Sequence, residues 1–315
     1  MRFRAPGATR LVALLVFATM AEAAPAATPG LPGAGAAASQ GPVALAATRG
    51  KAAAPTKRRR ARRRRLPPDG VFSRNAILLD PSTGEVLFEK NSSRSVPIAS
   101  LTKLMTSLVF LEQEPDLDRE VEVTLAEIRG AGSTQLRRNE RVPLGELLRM
   151  SLMSSDNCAT RVLMRESGLP REEFIARMNR KAVELGLTGT RFTECTGLDE
   201  RNVSTASDVA RLLHAAAHEP LIAEITTTRS HQFSTARRQH WVGNTNRLLY
   251  GRYEVRSGKT GFIREAGYCF ATWVRSQGRD LIAVVLGAPT NATRFADTVR
   301  LLQKVQRPTA TSTQL

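Results

Sequence analysis

Cysteine is scarce in this 315-residue chain, and three residues, Cys158, Cys195 and Cys269, cannot build a disulfide scaffold. No apolar run reaches the roughly 18 to 20 residues that a membrane-crossing helix needs, which excludes a multi-span membrane protein. Only four histidines occur, and His214 and His218, one helical turn apart, lack the intervening Glu of a zinc peptidase motif, so they read as ordinary helix-surface residues. Neither metal nor cofactor is expected. Lysine is equally sparse, with seven residues among 46 cations. Acidic residues are almost missing from the start of the chain: residues 1 to 66 hold 13 Lys or Arg against Glu22 alone. That stretch carries +12 of the formal +17, and the body only +5, so the charge is not the even footprint of a nucleic-acid-binding protein.

What the N-terminus does contain has two parts. Arg2, Arg4 and Arg10 precede an apolar stretch from Leu11 to Ala21, and Ala21-Glu22-Ala23 offers the small residues that a signal peptidase reads. We read residues 1–23 as a cleavable signal peptide and expect a periplasmic location, with no nucleic acid as partner. Residues 24–68 are Ala/Pro/Gly-rich and hold no aromatic residue, so they cannot bury enough apolar area to offset ordering entropy. They read as a disordered basic linker. Within it, Lys57 to Arg65 is either a tether to an anionic envelope surface or a solvated charge run.

From Val71 the pattern changes. Asn75 to Leu79 and Val86 to Lys90 flank the turn Asp80-Pro81-Ser82-Thr83-Gly84, which predicts a hairpin. Ser100 stands where a helix begins, followed by Leu101, Leu104, Met105, Leu108 and Val109 at helical spacing. Further helices are expected over Leu144 to Met153, Asn157 to Glu166, Arg171 to Leu185 and Ala206 to Ala217. Strands return at Gln232 to Ser234, Val255 to Thr260, Tyr268 to Ser276 and Leu281 to Ala288, before a helix from Asn291 to Val305. The order implies an α/β sheet domain assembled from both ends of the chain around a helical insertion, with no internal repeat.

Three short motifs carry chemistry. In Ser100-Leu101-Thr102-Lys103 the serine and lysine share a helix face, so the amine can reach the hydroxyl. Ser155-Asp156-Asn157 lies between two helical patterns, and Lys259-Thr260-Gly261 sits on a predicted strand. Two of the seven lysines fall in these motifs. A guanidinium stays protonated, whereas an ammonium can lose its proton when desolvated, so arginine could not replace Lys103 as a base. Lys259 is expected to stay charged and to lower the pKa of Lys103.

The three motifs in this order resemble the serine penicillin-binding proteins and β-lactamases. More narrowly, Pro97 to Thr106, Thr196-Gly197-Leu198 with Asn202 to Ala206, and Lys259 to Phe262 with Ala266-Gly267-Tyr268 resemble the low-molecular-mass D-alanyl-D-alanine peptidases. The resemblance implies a β-lactamase/transpeptidase-like α+β fold, an antiparallel sheet flanked by helices plus a helical subdomain, over residues 69–308, with a polar tail at 309–315. It implies that Ser100 attacks the penultimate D-Ala carbonyl with Lys103 as base, and that Ser155 relays a proton to the leaving amine. By the same resemblance Asn157 binds the substrate amide, Lys259 supplies charge and Thr260 a hydroxyl. Side-chain-free Gly261 would let substrate lie along the strand, and the backbone N–H groups of Ser100 and Phe262 would form the oxyanion hole. Asp156 is expected to be structural. Implied partners are peptidoglycan peptide stems and β-lactam antibiotics.

Two departures favour an endopeptidase over a carboxypeptidase. Only 54 residues follow Gly261, too few for the second β-rich domain of carboxypeptidase relatives. Thr245 also stands where those relatives carry an arginine able to hold a free terminal carboxylate, in Asn244-Thr245-Asn246-Arg247-Leu248-Leu249. Glu194-Cys195-Thr196 replaces an expected Glu-Pro-Thr. No E-x-x-L-N deacylation motif follows Asn157, which argues against a β-lactamase. A non-catalytic wall-binding module is the alternative from a different class.

Overall fold

The computed structural model describes residues 65–306. The expected signal peptide, all but the last four residues of the expected linker, and the polar tail lie outside the described residues. The folded body is anchored at once: Asp69 pairs with Lys90 at 2.8 Å, and Val71 is buried.

The central sheet has five antiparallel strands in the order β2-β1-β11-β10-β9. β1 (Asn75–Leu79) and β2 (Val86–Lys90) form the expected hairpin at one edge. β9 (Glu254–Ile263), β10 (Gly267–Ser276) and β11 (Arg279–Ala288) return from late in the chain, and β11 pairs with β1 from Asn75↔Leu286 to Leu79↔Ile282. Both faces of this sheet are covered. Leu281, Ala283 and Val285 pack with Leu301 and Leu302 of α8 (Asn291–Gln306). Ile282, Val284 and Leu286 face the main helical core. Burial on both faces explains why this strand reads as an unbroken apolar run rather than an alternating one.

The helical part comprises α1 (Thr102–Leu111), α2 (Leu125–Ile128), α3 (Leu144–Arg149), α4 (Asn157–Arg165), α5 (Arg171–Glu184), α6 (Ala206–Ala217) and α7 (Pro220–Thr227). Small antiparallel pairs brace it: β3 (Val96–Pro97) with β6 (Val203–Ser204), β4 (Glu120–Glu122) with β5 (Arg141–Pro143), and β7 (Ser230–Ser234) with β8 (Gln239–Gly243). The mixed fold, with its antiparallel sheet and helical insertion, is the one expected.

Local structure departs from the sequence reading in places. The helix expected over Leu144 to Met153 stops at Arg149, and Met150–Ser154 form one wider π turn that ends in a left-handed Ser155, φ +64°. Ser154 Oγ donates to Met150 O at 2.9 Å, and Asp156 N donates to the same carbonyl at 3.1 Å, which widens and then ends the turn. α7 and β8 were not anticipated, being short and rich in β-branched or polar residues. His214 is half-buried on α6 and His218 exposed at its end, in keeping with helix-surface residues, and both rings pack on Trp273, with centroids 5.2 and 5.7 Å away.

Candidate active site

The nucleophile candidate sits in a pinched turn. β3 leads into Ile98, whose N–H donates to Asn202 O at 3.1 Å, and a single 3₁₀ turn over Ala99–Leu101 precedes α1. Ala99 takes a left-handed φ of +50°, a costly conformation held by its surroundings. Ser100 does not cap the helix: α1 begins at Thr102 with no side-chain cap, so the Ser100 hydroxyl is not consumed there. Two glycines clamp this turn from opposite segments. A Cβ on Gly197 would stand 2.0 Å from Ala99 O, and one on Gly261 would stand 3.1 Å from Ser100 N and 2.9 Å from Ile98 O. The open side of Gly261 is thus filled by the protein's own backbone, so its missing side chain brings β9 against the Ser100 turn rather than making room for a ligand.

Lys103 is the hub. Its fully buried ammonium donates to Ser100 Oγ at 3.0 Å, Asn157 Oδ1 at 2.6 Å and Thr196 O at 2.7 Å. Burial pushes its pKa down to about 8, against the opposing pull of Glu194. Three acceptors hold the nitrogen against the serine, and at pH 7 to 8 a useful fraction of the amine is neutral. Thr196 had no expected role. Its carbonyl is aimed by Glu194, whose carboxylate accepts from Thr196 N at 2.7 Å, Thr196 Oγ1 at 2.5 Å, Asn202 Nδ2 at 2.8 Å and also Gly197 N. Thr106 Oγ1 donates to Cys195 O at 2.6 Å and ties the same loop to α1.

The second motif divides its labour. Asp156 is structural, as expected: it caps α4 by accepting from Ala159 N at 3.0 Å, and it accepts from Thr134 Oγ1 at 2.7 Å. Asn157 spans the cleft wall, with Oδ1 on Lys103 and Nδ2 donating to Ala131 O at 2.8 Å. Ser155 is brought to the third motif, accepting from Lys259 Nζ at 2.9 Å.

Lys259 corrects an expectation. It is fully buried, and burial, then Lys103 and Arg294, push its pKa well below 10.5. Lys103 is thus among the causes that lower the Lys259 pKa. Burial, not Lys259, leads the depression of Lys103. Thr260 Oγ1 lies 2.6 Å from Thr245 Oγ1, and Thr245 also donates to Met153 O at 3.2 Å. Phe262 projects outward, half exposed, and stacks on Tyr268 at 4.2 Å. Behind the strand, buried Arg294 donates to Gly261 O at 3.0 Å, a support that no motif announced. β9 is the last strand of the sheet, and among the described residues its outer edge has no strand partner.

All three cysteines are free and buried, and burial pushes their thiols up to about 12, 12 and 11 for Cys158, Cys195 and Cys269. They are inert as nucleophiles.

A serine held 3.0 Å from a buried lysine, beside a sheet edge carrying a second buried lysine, defines an acyl-transfer serine enzyme on a penicillin-binding scaffold. The K15 DD-transpeptidase of Streptomyces shares that fold, with a TM-score of 0.71 and 24% identity over 74% of this chain and 97% of that one. The chain belongs to the peptidase S11 family, described as D-alanyl-D-alanine carboxypeptidase, which it matches over residues 63–290. It is 36% identical over 237 residues to a D-alanyl-D-alanine endopeptidase of Pseudomonas aeruginosa, covering 73% of this chain and 76% of that one. A D-alanyl-D-alanine endopeptidase of Escherichia coli is 35% identical over the same shares. The protein is a serine-type D-Ala-D-Ala peptidase.

Proposed function

We propose that the enzyme is an endopeptidase that cuts the D-Ala to meso-diaminopimelate cross-link of peptidoglycan through an acyl-ester on Ser100. In this reading neutral Lys103 takes the Ser100 proton as Oγ attacks the D-Ala carbonyl, and the oxyanion forms between the N–H groups of Ser100 and Phe262. The C–N bond then breaks, and Ser155 passes a proton to the departing amine of diaminopimelate. Water hydrolyses the ester and frees Ser100. The substrate lies along the open edge of β9, with Asn157 and Thr260 meeting its amide and carboxylate groups.

The observation that carries the endopeptidase reading is Thr245. A threonine hydroxyl bound to Thr260 at 2.6 Å provides no second cation to hold the carboxylate of a lone terminal D-Ala, whereas the diaminopimelate on the leaving side of a cross-link belongs to a longer stem with further groups to bind. Digestion of purified cross-linked muropeptide dimers tests it: monomers should appear with wild type and not with Ser100→Ala. Loss of the terminal D-Ala from pentapeptide, with dimers left intact, would make the enzyme a carboxypeptidase. Fluorescent penicillin should label wild type and not Ser100→Ala, which separates an enzyme from a wall-binding module. The acyl-enzyme should persist for many minutes, because the Glu194 carboxylate is spent on Thr196, Gly197 and Asn202 rather than on a hydrolytic water.

We further propose export by residues 1–23 to the periplasm, with Lys57 to Arg65 as a tether to an anionic surface. Among the described residues no helix is long and apolar enough to cross a membrane. Deleting Lys57 to Arg65 should weaken envelope association at low salt and leave penicillin acylation intact.

A further inference from the structure

Two turns beside the catalytic cleft carry four arginines without acidic partners. Arg137 and Arg138 lie on the turn before β5, and Arg237 and Arg238 on the turn joining β7 to β8. All four are exposed, and among the described residues no carboxylate lies within ion-pair distance of any of them. The turns are locked together: Arg237 Nη1 donates to Arg138 O at 3.2 Å, and Arg238 Nη1 to Gln135 O at 3.3 Å. Beneath them Glu140 is fully buried and already committed to His240 and Thr235, at 2.7 and 2.8 Å, and to Arg137 N at 2.9 Å. The buried carboxylate therefore fixes the turns and does not neutralise the guanidinium groups above.

An exposed aromatic residue adjoins this patch. Trp241 is 56% exposed on β8, and its carbonyl accepts from Gln135 Nε2 at 2.7 Å. The indole lies back over Gly243, its Nε1 3.7 Å from where a Cβ would stand. An outward indole offers a flat apolar face with one donor at its edge, which suits a ligand that is wet on one side.

The segments that carry these turns are also tied to the second and third motifs. Thr134 holds Asp156 of the second motif, and Thr245, two residues beyond β8, holds Thr260 of the third. Along the chain, at no more than about 3.3 Å per residue, Trp241 lies within roughly 13 Å of Thr245 and the arginine turn no more than about 10 Å further. A peptide stem of four or five residues spans roughly 14 to 18 Å. A β-lactam bound at Ser100 stops short of Trp241, whereas the second stem of a cross-linked substrate passes it, and an extended arginine side chain is long enough to bridge the roughly 5 Å that remain to the turn.

Resting on the endopeptidase reading, we propose that Arg137, Arg138, Arg237, Arg238 and Trp241 form an exosite for the carboxylate-bearing second peptide stem of cross-linked peptidoglycan. The free carboxylates of glutamate and diaminopimelate in that stem complement an arginine cluster that has no internal partner.

The test uses full-length protein, native cross-linked dimers, and dimers whose carboxyl groups have been amidated. Arg237→Ser/Arg238→Ser and Trp241→Ser should each leave penicillin acylation unchanged. The double arginine variant should raise KM for native dimers about five- to tenfold at unchanged kcat, the scale of losing two exposed charge pairs. On amidated dimers the wild type should already show the raised KM, and the variant should lose nothing more. An unchanged KM, or an equal loss on amidated substrate, overturns the exosite. If no dimer is cut at all, the endopeptidase reading fails separately, and the exosite is then read by pelleting with intact sacculi, native against amidated. Pelleting that ignores the arginines overturns it, as does an arginine dependence seen only with phosphatidylglycerol vesicles.

Discussion

Gly197 and Ala99 meet so closely that a Cβ on the glycine would stand 2.0 Å from the alanine carbonyl oxygen. Because Gly197 also has φ +84° and Ala99 φ +50°, the nucleophile turn is a strained segment held in place from a loop nearly a hundred residues away. Gly197→Ala should therefore cost about tenfold or more in penicillin acylation and lower the melting temperature by several degrees. Gly132→Ala is the control: its φ of +78° is similar, but nothing lies within 4 Å. That change should cost only about 1 kcal/mol in stability and leave acylation near wild type. Equal acylation losses in both variants would show that the contact with Ala99 is irrelevant.

The acid limb of the rate profile should report Lys103. Its neutral form is the base, and its pKa is about 8, so acylation should fall roughly tenfold per unit as pH drops below that value. Glu194 opposes the depression, so removing its charge should move the limb to lower pH. Stopped-flow acylation of wild type and Glu194→Gln between pH 5 and 9 checks both. A limb that stays fixed in Glu194→Gln, with the fold intact by circular dichroism, would disprove the coupling.

Lys259→Met should inactivate the enzyme and stabilise it. A buried lysine whose folded pKa lies well below 10.5 is destabilising wherever the unfolded chain keeps its proton, and stability recovers as pH rises toward 10.5. Methionine fills the space without a proton to lose, so we expect about 1 to 3 kcal/mol gained at pH 7, and a wild-type stability that rises with pH where the variant's does not. Urea unfolding at pH 6, 7.5 and 9 gives the comparison.

Thr245→Arg should shift specificity. The side chain at this position is exposed and begins beside Thr260, where a guanidinium can take a free terminal carboxylate bidentately. Release of D-Ala from pentapeptide should rise several-fold relative to dimer cleavage. An unchanged ratio in a folded, penicillin-labelled variant removes Thr245 as the discriminating residue.

The residues whose chemistry is irreplaceable were legible in the linear chain. Lys103 and Lys259 stand out because the protein writes almost every other cation as arginine, and Ser100 stands out by its spacing from Lys103. Long elements with strong periodicity, such as α5 and α6, and the doubly buried β11 were equally plain. Less visible were groups that act through their backbone. The Thr196 carbonyl on Lys103 and the Ala131 carbonyl on Asn157 carry no residue signature, and their partners lie 93 and 26 positions away. Arg294 was hidden for the opposite reason, one arginine among 39. The wide turn at Met150–Ser154 also escaped, because the apolar pattern runs through it unchanged.

Residue type and order alone thus determined the reaction class: a serine, a lysine free to lose its proton, and a strand motif rich in small and polar residues. Tertiary structure decided the protonation and the geometry. Burial at the junction of sheet and helices sets the Lys103 pKa, and two glycines from distant segments set the Ser100 turn. It also brought Thr245 to Thr260 and gathered four arginines beside the cleft. Desolvation and close approach depend on what surrounds a group in space, and no local stretch of sequence encodes that.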